Sequence, residues 1–222
     1  MKVSVIQPSY VPWLGYIYMI KHSDIFIYYD TVQYDKGGWR NRNKVLCNHN
    51  IKWLTLSLNK KIMTSNLSER HLNQIELKDN SQFAQNKNIL NNYYKNLGVL
   101  NKIYPDSLSK SIMLCDSLVE HNNIILDYLN IKTRILRASE INYQHVNYGD
   151  NKNTNLLNLL KTVGATQYVS GLSAKTYMDL NLFEQYNIEV LWNKYQPHDK
   201  NVLSCIHYLL AEGRQKVLEY LS

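Results

Sequence analysis

The run Asn41-Arg42-Asn43 carries the residue types best suited to holding an anionic, hydroxyl-rich ligand. A guanidinium grips a phosphate or carboxylate through two parallel hydrogen bonds. The flanking amides could read sugar hydroxyls, and Lys36 would add a second positive charge. The competing role for Arg42 is a bridge to backbone or to Asp30. Asp30 closes an apolar run, where it could orient a hydroxyl or act as a general base; the alternative is an Asx turn or a helix cap. Trp13 and Trp39 could stack on the face of a base or sugar, or simply pack in the core. Gln7 ends another apolar run, as a neutral reader of a ligand or as a turn-stabilising side chain. Cys47–His49 and Cys205–His207 are Cys-x-His pairs, but no second pair at zinc spacing follows, so no metal site is expected.

The apolar pattern marks out the elements that must position these groups. Residues 3–7 and 25–30 read as strands with a short helix over 14–22 between them, a βαβ unit. Lys44–Cys47 and Ile51–Leu58 flank Asn48-His49-Asn50, a hairpin signal. Apolar residues recur at three and four over 82–97 and 108–130, which predicts helices. Further strands are expected at 133–137, 167–169 and 188–192. Helices are expected over 153–163, ending at Gly164, and over 203–221, interrupted at Gly213. Alternating strands and helices predict an α/β fold with a mostly parallel sheet, in a single domain over 1–222. Within it lie a hairpin insertion over 40–60 and a helical portion over 80–130. Parallel sheets bind ligands at the carboxyl ends of their strands. Here those ends carry Gln7–Gly15, Asp30–Asn43 and Ser170–Lys175, so Gln7, Asp30 and Ser170 should share one edge.

The charge is unevenly placed. The 222 residues carry a net +7. Lys36, Arg40, Arg42, Lys44, Lys52, Lys60 and Lys61 fall within 36–68, a segment with no acid, while the remainder balances. That segment suggests an anionic partner. Nucleic acid is not expected: arginine is scarce and no nucleic-acid motif appears. With 45% hydrophobic and 19% charged residues the chain is not a disordered polyelectrolyte. No apolar run is long enough to span a bilayer, and the N-terminus lacks the pattern of a signal peptide. Three cysteines cannot build a disulfide framework. A cytoplasmic protein is expected.

Residues 5–16 (VIQPSYVPWLGY), 30–43 (DTVQYDKGGWRNRN) and 53–56 (WLTL), with Gly164-Ala165 and Tyr168-Val169-Ser170-Gly171 farther on, resemble the WbqC-like family of bacterial surface-polysaccharide gene clusters. Near the C-terminus the family usually shows Y-x-H-P-x-Y, whereas this chain has Tyr195-Gln196-Pro197-His198. The resemblance implies a site that also includes Tyr10, Gly15, Tyr16, Gln33 and Gly171. It implies an enzyme that modifies a sugar, with a nucleotide-linked sugar as substrate. The first 30 residues also resemble the Rossmann-like HUP/nucleotidylyltransferase fold, in which Gly15 would let backbone approach a phosphate at a helix N-terminus. The decisive histidines of that superfamily are absent, with Tyr16 at one of the positions.

Three functions follow from these readings. The first is acyl or aminoacyl transfer to an amino or hydroxyl group of a nucleotide-linked sugar, with Asp30 and Arg42 catalytic. An acyl thioester, an acyl carrier or ATP could supply the group, since neither a coenzyme A motif nor a P-loop is present to select one. The second is nucleotidyl transfer or carboxylate adenylation with ATP. The third is a non-catalytic module that binds a nucleotide sugar.

Overall fold

The computed structural model describes residues 1–59, 70–108, 111–146, 152–197 and 200–222. Lys60, Lys61 and His198 lie outside them. The chain runs β1 (Lys2–Ile6), α1 (Leu14–Lys21), β2 (Ile25–Tyr28), β3 (Arg42–Cys47), β4 (Asn50–Thr55), α2 (Ser81–Tyr94), α3 (Leu97–Ile103) and α4 (Leu114–Leu129). It continues through β5 (Arg134–Arg137), α5 (Lys152–Thr162), β6 (Gln167–Ser170), α6 (Leu180–Gln185), β7 (Glu189–Trp192), α7 (Cys205–Ala211) and α8 (Arg214–Tyr220).

Five strands form one sheet in the order β5-β2-β1-β6-β7, and every pairing in it is parallel. Period-two alternation sends the side chains of β1 and β2 to opposite faces. Val3, Val5, Ile25 and Ile27 join Leu156, Leu160 and Phe183 from α5 and α6 on one side. Phe26 and Tyr28 face the larger cluster built by α1, α2, α4, α7 and the hairpin. A sheet covered on both faces explains why these strands read as unbroken apolar runs.

The hairpin β3–β4 turns at Asn48 and His49, both left-handed (φ 47° and 62°) and set between the paired Cys47 and Asn50. That is the backbone a two-residue hairpin turn needs. The helix expected over 82–97 is two helices, because Lys95 takes a left-handed cap (φ 51°) and Asn96 starts α3 by accepting from the Val99 amide. The helix expected from 108 starts at Leu114. Ser111 accounts for the delay: its hydroxyl accepts from the Met113 amide and donates to Asp116. The break at Gly213 (φ 87°) separates α7 from α8.

Candidate functional site at the carboxyl edge of the sheet

From β1 the chain steps outward to β2 and β5 on one side, and β6 and β7 occupy the other, so the strand order reverses beside β1. The crevice outside such a reversal is where open α/β sheets take ligands. Gln7 follows β1, Asp30 follows β2 and Ser170 ends β6. These strands are adjacent and parallel, so the three residues share one edge and span about 10 Å at the usual strand spacing.

Arg40 is fastened to this edge. Its Nη1 donates to the Gln7 and Pro8 carbonyls at 3.2 and 3.3 Å, and its Nε donates to Asp35 at 3.1 Å. Its side chain is 13% exposed. Tyr16, buried beneath, donates its hydroxyl to the same Gln7 carbonyl at 3.2 Å. Burial pushes the Tyr16 phenol well above its ordinary value, so it stays a neutral donor. The Gln7 side-chain amide has no hydrogen-bond partner among the described residues.

Asp30 is fully buried and held by three hydrogen bonds. Arg137 Nε donates to it at 2.9 Å, the Ser139 amide at 2.9 Å and the Ser139 hydroxyl at 2.7 Å. Arg137 also donates to Asp116 at 2.7 Å. Burial pulls the Arg137 pKa down, but hydrogen bonds to Asp116 and Asp30 more than offset that. The carboxylate is covered and both of its oxygens are taken up by these donors, so it is not open to a substrate proton. Asp30 is therefore a positioning residue for Arg137 and Ser139 rather than an accessible base. Burial pushes the thiol of Cys115 up, with Asp30 and Asp116 adding to the shift and Arg137 and Arg40 opposing it.

A tyrosine and two histidines follow beside the loop after β2. Thr31 and Tyr143 share a hydrogen bond of 2.9 Å. His145 packs edge-on to Tyr143, and His71 faces His145 with ring centroids 6.1 Å apart. Backbone bonds from Leu72 to Val32 and from Asn73 to Asp30 hold His71 beside the loop after β2, and Gln33 bridges to His71. Partial burial, reinforced by His145, keeps the His71 imidazole below its ordinary value and hence neutral at pH 7.

Several residues singled out in the sequence turn out to hold the loops. Asn43 donates to the Tyr10 and Val11 carbonyls and Asn41 to the Leu56 carbonyl, so neither amide faces outward to read a sugar. Tyr10 is fully buried and bonds Tyr104 and Asn86. Gly15 is not a place for phosphate. A Cβ there would meet the Trp13 ring at 2.1 Å, so the indole already fills that space. Trp13 packs on Tyr195 at 5.5 Å. Trp39 stacks on Trp53 at 5.7 Å, and Arg42 lies over Trp53 at 4.7 Å while donating to the Gly37 carbonyl. Lys36 is exposed in the loop before it. Ser170 is buried, and Gly171 opens the short 3-10 turn over Leu172–Thr176.

Sequence reasoning missed Arg137, Ser139, Asp116, His71 and His145, and read Arg40 only for its charge. Arg137 had a usable signal: an arginine at the end of a predicted strand in a parallel sheet. The others lie in segments whose neighbours are set by strand order. An open depression of about 550 Å³ lies at the opposite, amino-terminal edge, beside Asp24 and Thr133. Its Arg214 and Lys21 bind the carbonyls of Tyr128 and Leu221, so they act as helix-end supports.

The model of the WbqC-like protein family matches residues 7–217. A protein of Mycobacterium tuberculosis (strain ATCC 25618 / H37Rv), described as "Uncharacterized protein Rv1507c", is 30% identical over 205 residues, covering 87% of this chain and 82% of its own. No solved structure matches the chain. Among the described residues no helix is long and apolar enough to cross a membrane.

Proposed function

The chain belongs to the WbqC-like protein family, and from that premise we propose that it is a cytoplasmic transferase of bacterial surface-glycan assembly, moving an acyl or aminoacyl group onto a nucleotide-linked amino sugar. One observation carries the reading. Arg40 and Arg137, both largely covered, stand at the carboxyl ends of β1 and β5 on either side of Asp30, beside the point where the strand order reverses. Asp30, Asp35 and Asp116 balance these two cations, so a diphosphate would be taken through directed N–H donors at the strand ends rather than through net positive charge.

In this reading Arg40 and the Gln7 amide hold the nucleotide phosphates. Asp30 keeps Arg137 and Ser139 in place at the floor. The sugar amine attacks the thioester carbonyl; a C–N bond forms, the C–S bond breaks, and the thiolate leaves. His71 or His145 accepts the proton of the amine, the usual part of an imidazole in general acid–base catalysis. Adenylation gains nothing from the packing of Trp13 on Gly15, which closes the phosphate approach that fold would use.

The test is calorimetric titration with a UDP-linked amino sugar, followed by turnover with an acyl thioester. Arg40→Ala should weaken binding by about 1.5–3 kcal/mol, the worth of a charge-assisted hydrogen bond. His71→Gln or His145→Gln should leave affinity in place and lower turnover by roughly 10²–10⁴-fold. Pyrophosphate release from ATP with a carboxylate would move the assignment to adenylation. Tight binding with no turnover on any donor would make the chain a binding module.

A further inference from the structure

The outer face of the β3–β4 hairpin carries a cluster that the crevice does not use. Inward-facing Asn43, Val45 and Leu54 pack on the core. Alternation therefore turns Arg42, Lys44, Ile51 and Trp53 to the other side, with Lys44 opposite Trp53 in register. Trp39 reaches over from the preceding loop and stacks on Trp53. Trp39, Trp53 and Ile51 are 43%, 45% and 39% exposed. Two tryptophans and an isoleucine side by side on an outer strand face are costly to leave in water.

Each indole has a cation at hand, Arg42 over Trp53 at 4.7 Å and Lys44 over Trp39 at 5.7 Å. With the rings stacked on each other as well, a flat sugar or base would have to displace one of these partners. Lys36 adds a further exposed charge. The sequence from 36 to 68 holds no acid, and the nearest one, Asp35, is paired with Arg40. Exposed indoles ringed by cations with no acid among them match one environment: the headgroup region of an anionic bilayer. There the rings sit at the apolar boundary and lysine and arginine meet lipid phosphate.

We propose that this hairpin face seats the protein on an anionic membrane surface. The rest of the molecule need not enter the bilayer. Because the contacting residues differ from those of the crevice, this docking is independent of the reaction assigned above.

The experiment is co-sedimentation of the full chain with vesicles of phosphatidylcholine and phosphatidylglycerol (3:1), against phosphatidylcholine alone, with tryptophan emission recorded in parallel. The wild type should sediment with the mixed vesicles only, with a blue-shifted emission, and come off at high salt. Lys44→Glu reverses one charge. At roughly fivefold per surface charge it should weaken binding by about 25-fold. Trp53→Ser should weaken it at least fivefold and Trp39→Ser similarly, with circular dichroism and Tm confirming the fold. Absence of wild-type binding to the mixed vesicles would overturn the proposal. So would binding that is unchanged in folded Lys44→Glu and Trp53→Ser. If a variant does not fold, quenching of wild-type emission by brominated phosphatidylglycerol decides: no quenching also overturns it. A UDP-sugar that shifts the emission of Trp39 and Trp53 without vesicle binding would assign the face to small ligands and refute membrane docking.

Discussion

Arg40 and Arg42 stand two residues apart in one motif and end in opposite environments. The Arg40 side chain is largely covered, with Asp35 and two backbone carbonyls as partners at the end of β1. Arg42 lies on the outer hairpin face, resting on an exposed indole. The carboxyl edge and the hairpin face thus draw on the same basic segment for different work. At the edge the arginines are paired with carboxylates, Arg40 with Asp35 and Arg137 with Asp30 and Asp116. On the face Arg42 and Lys44, both part-exposed, have indole rings in place of carboxylates. The partner separates the two settings; residue type does not.

The sharpest way to break this contrast is at the edge. Arg137→Ala would leave Asp30 fully buried without its cation, and removing one partner of a buried pair costs about 3–5 kcal/mol. Urea unfolding should show a loss of that size. A loss under 1 kcal/mol would mean that Asp30 is solvated, like the groups on the hairpin face, and would restore it as a candidate base.

A second test concerns Tyr10, which joins the two regions. Its amide bonds the carbonyls of Trp39 and Arg40, and its ring packs on His121. Burial pulls the His121 imidazole down to about 4, partly opposed by its bond to the Ile103 carbonyl. An unfolded histidine titrates near 6.5, so between these values the unfolded chain binds more protons. Stability from this group is therefore fully present above about pH 6.5 and is lost as pH falls toward 4, by roughly 3 kcal/mol in all. Chemical unfolding between pH 4 and 7 should show that slope, and His121→Gln should flatten it.

The smallest effect sharpens the comparison from the other side. Arg42→Ala removes a part-exposed cation–π contact, worth about 0.5–1 kcal/mol. The Tm should move little, and nucleotide-sugar affinity should hold while Arg40→Ala loses it. Equal losses of affinity in both variants would place Arg42 in the crevice after all.

Much of the architecture was legible in advance. The apolar runs at β1 and β2, the hairpin signal at Asn48-His49 and the stop at Gly213 are local features, and each appears close to where the pattern put it. The misreadings arose where a residue's neighbour is remote. Asp30 looked like a free carboxylate at a strand end, but β5 pairs with β2 and delivers Arg137 to it across 107 residues. Gly15 looked like room for phosphate; the Trp13 ring occupies it.

The sequence by itself determined the α/β alternation, the parallel sheet and the concentration of positive charge in one segment. Periodicity and composition are properties of neighbouring residues, and the backbone converts them directly into strands, helices and a hairpin. The tertiary structure alone decided which of those charges are buried. Desolvation and pairing depend on which strand lies beside which, and on which face of the hairpin a residue falls. A shift of one position along β3 exchanges the core side for the solvent side, as the buried Asn43 and the outward Arg42 show.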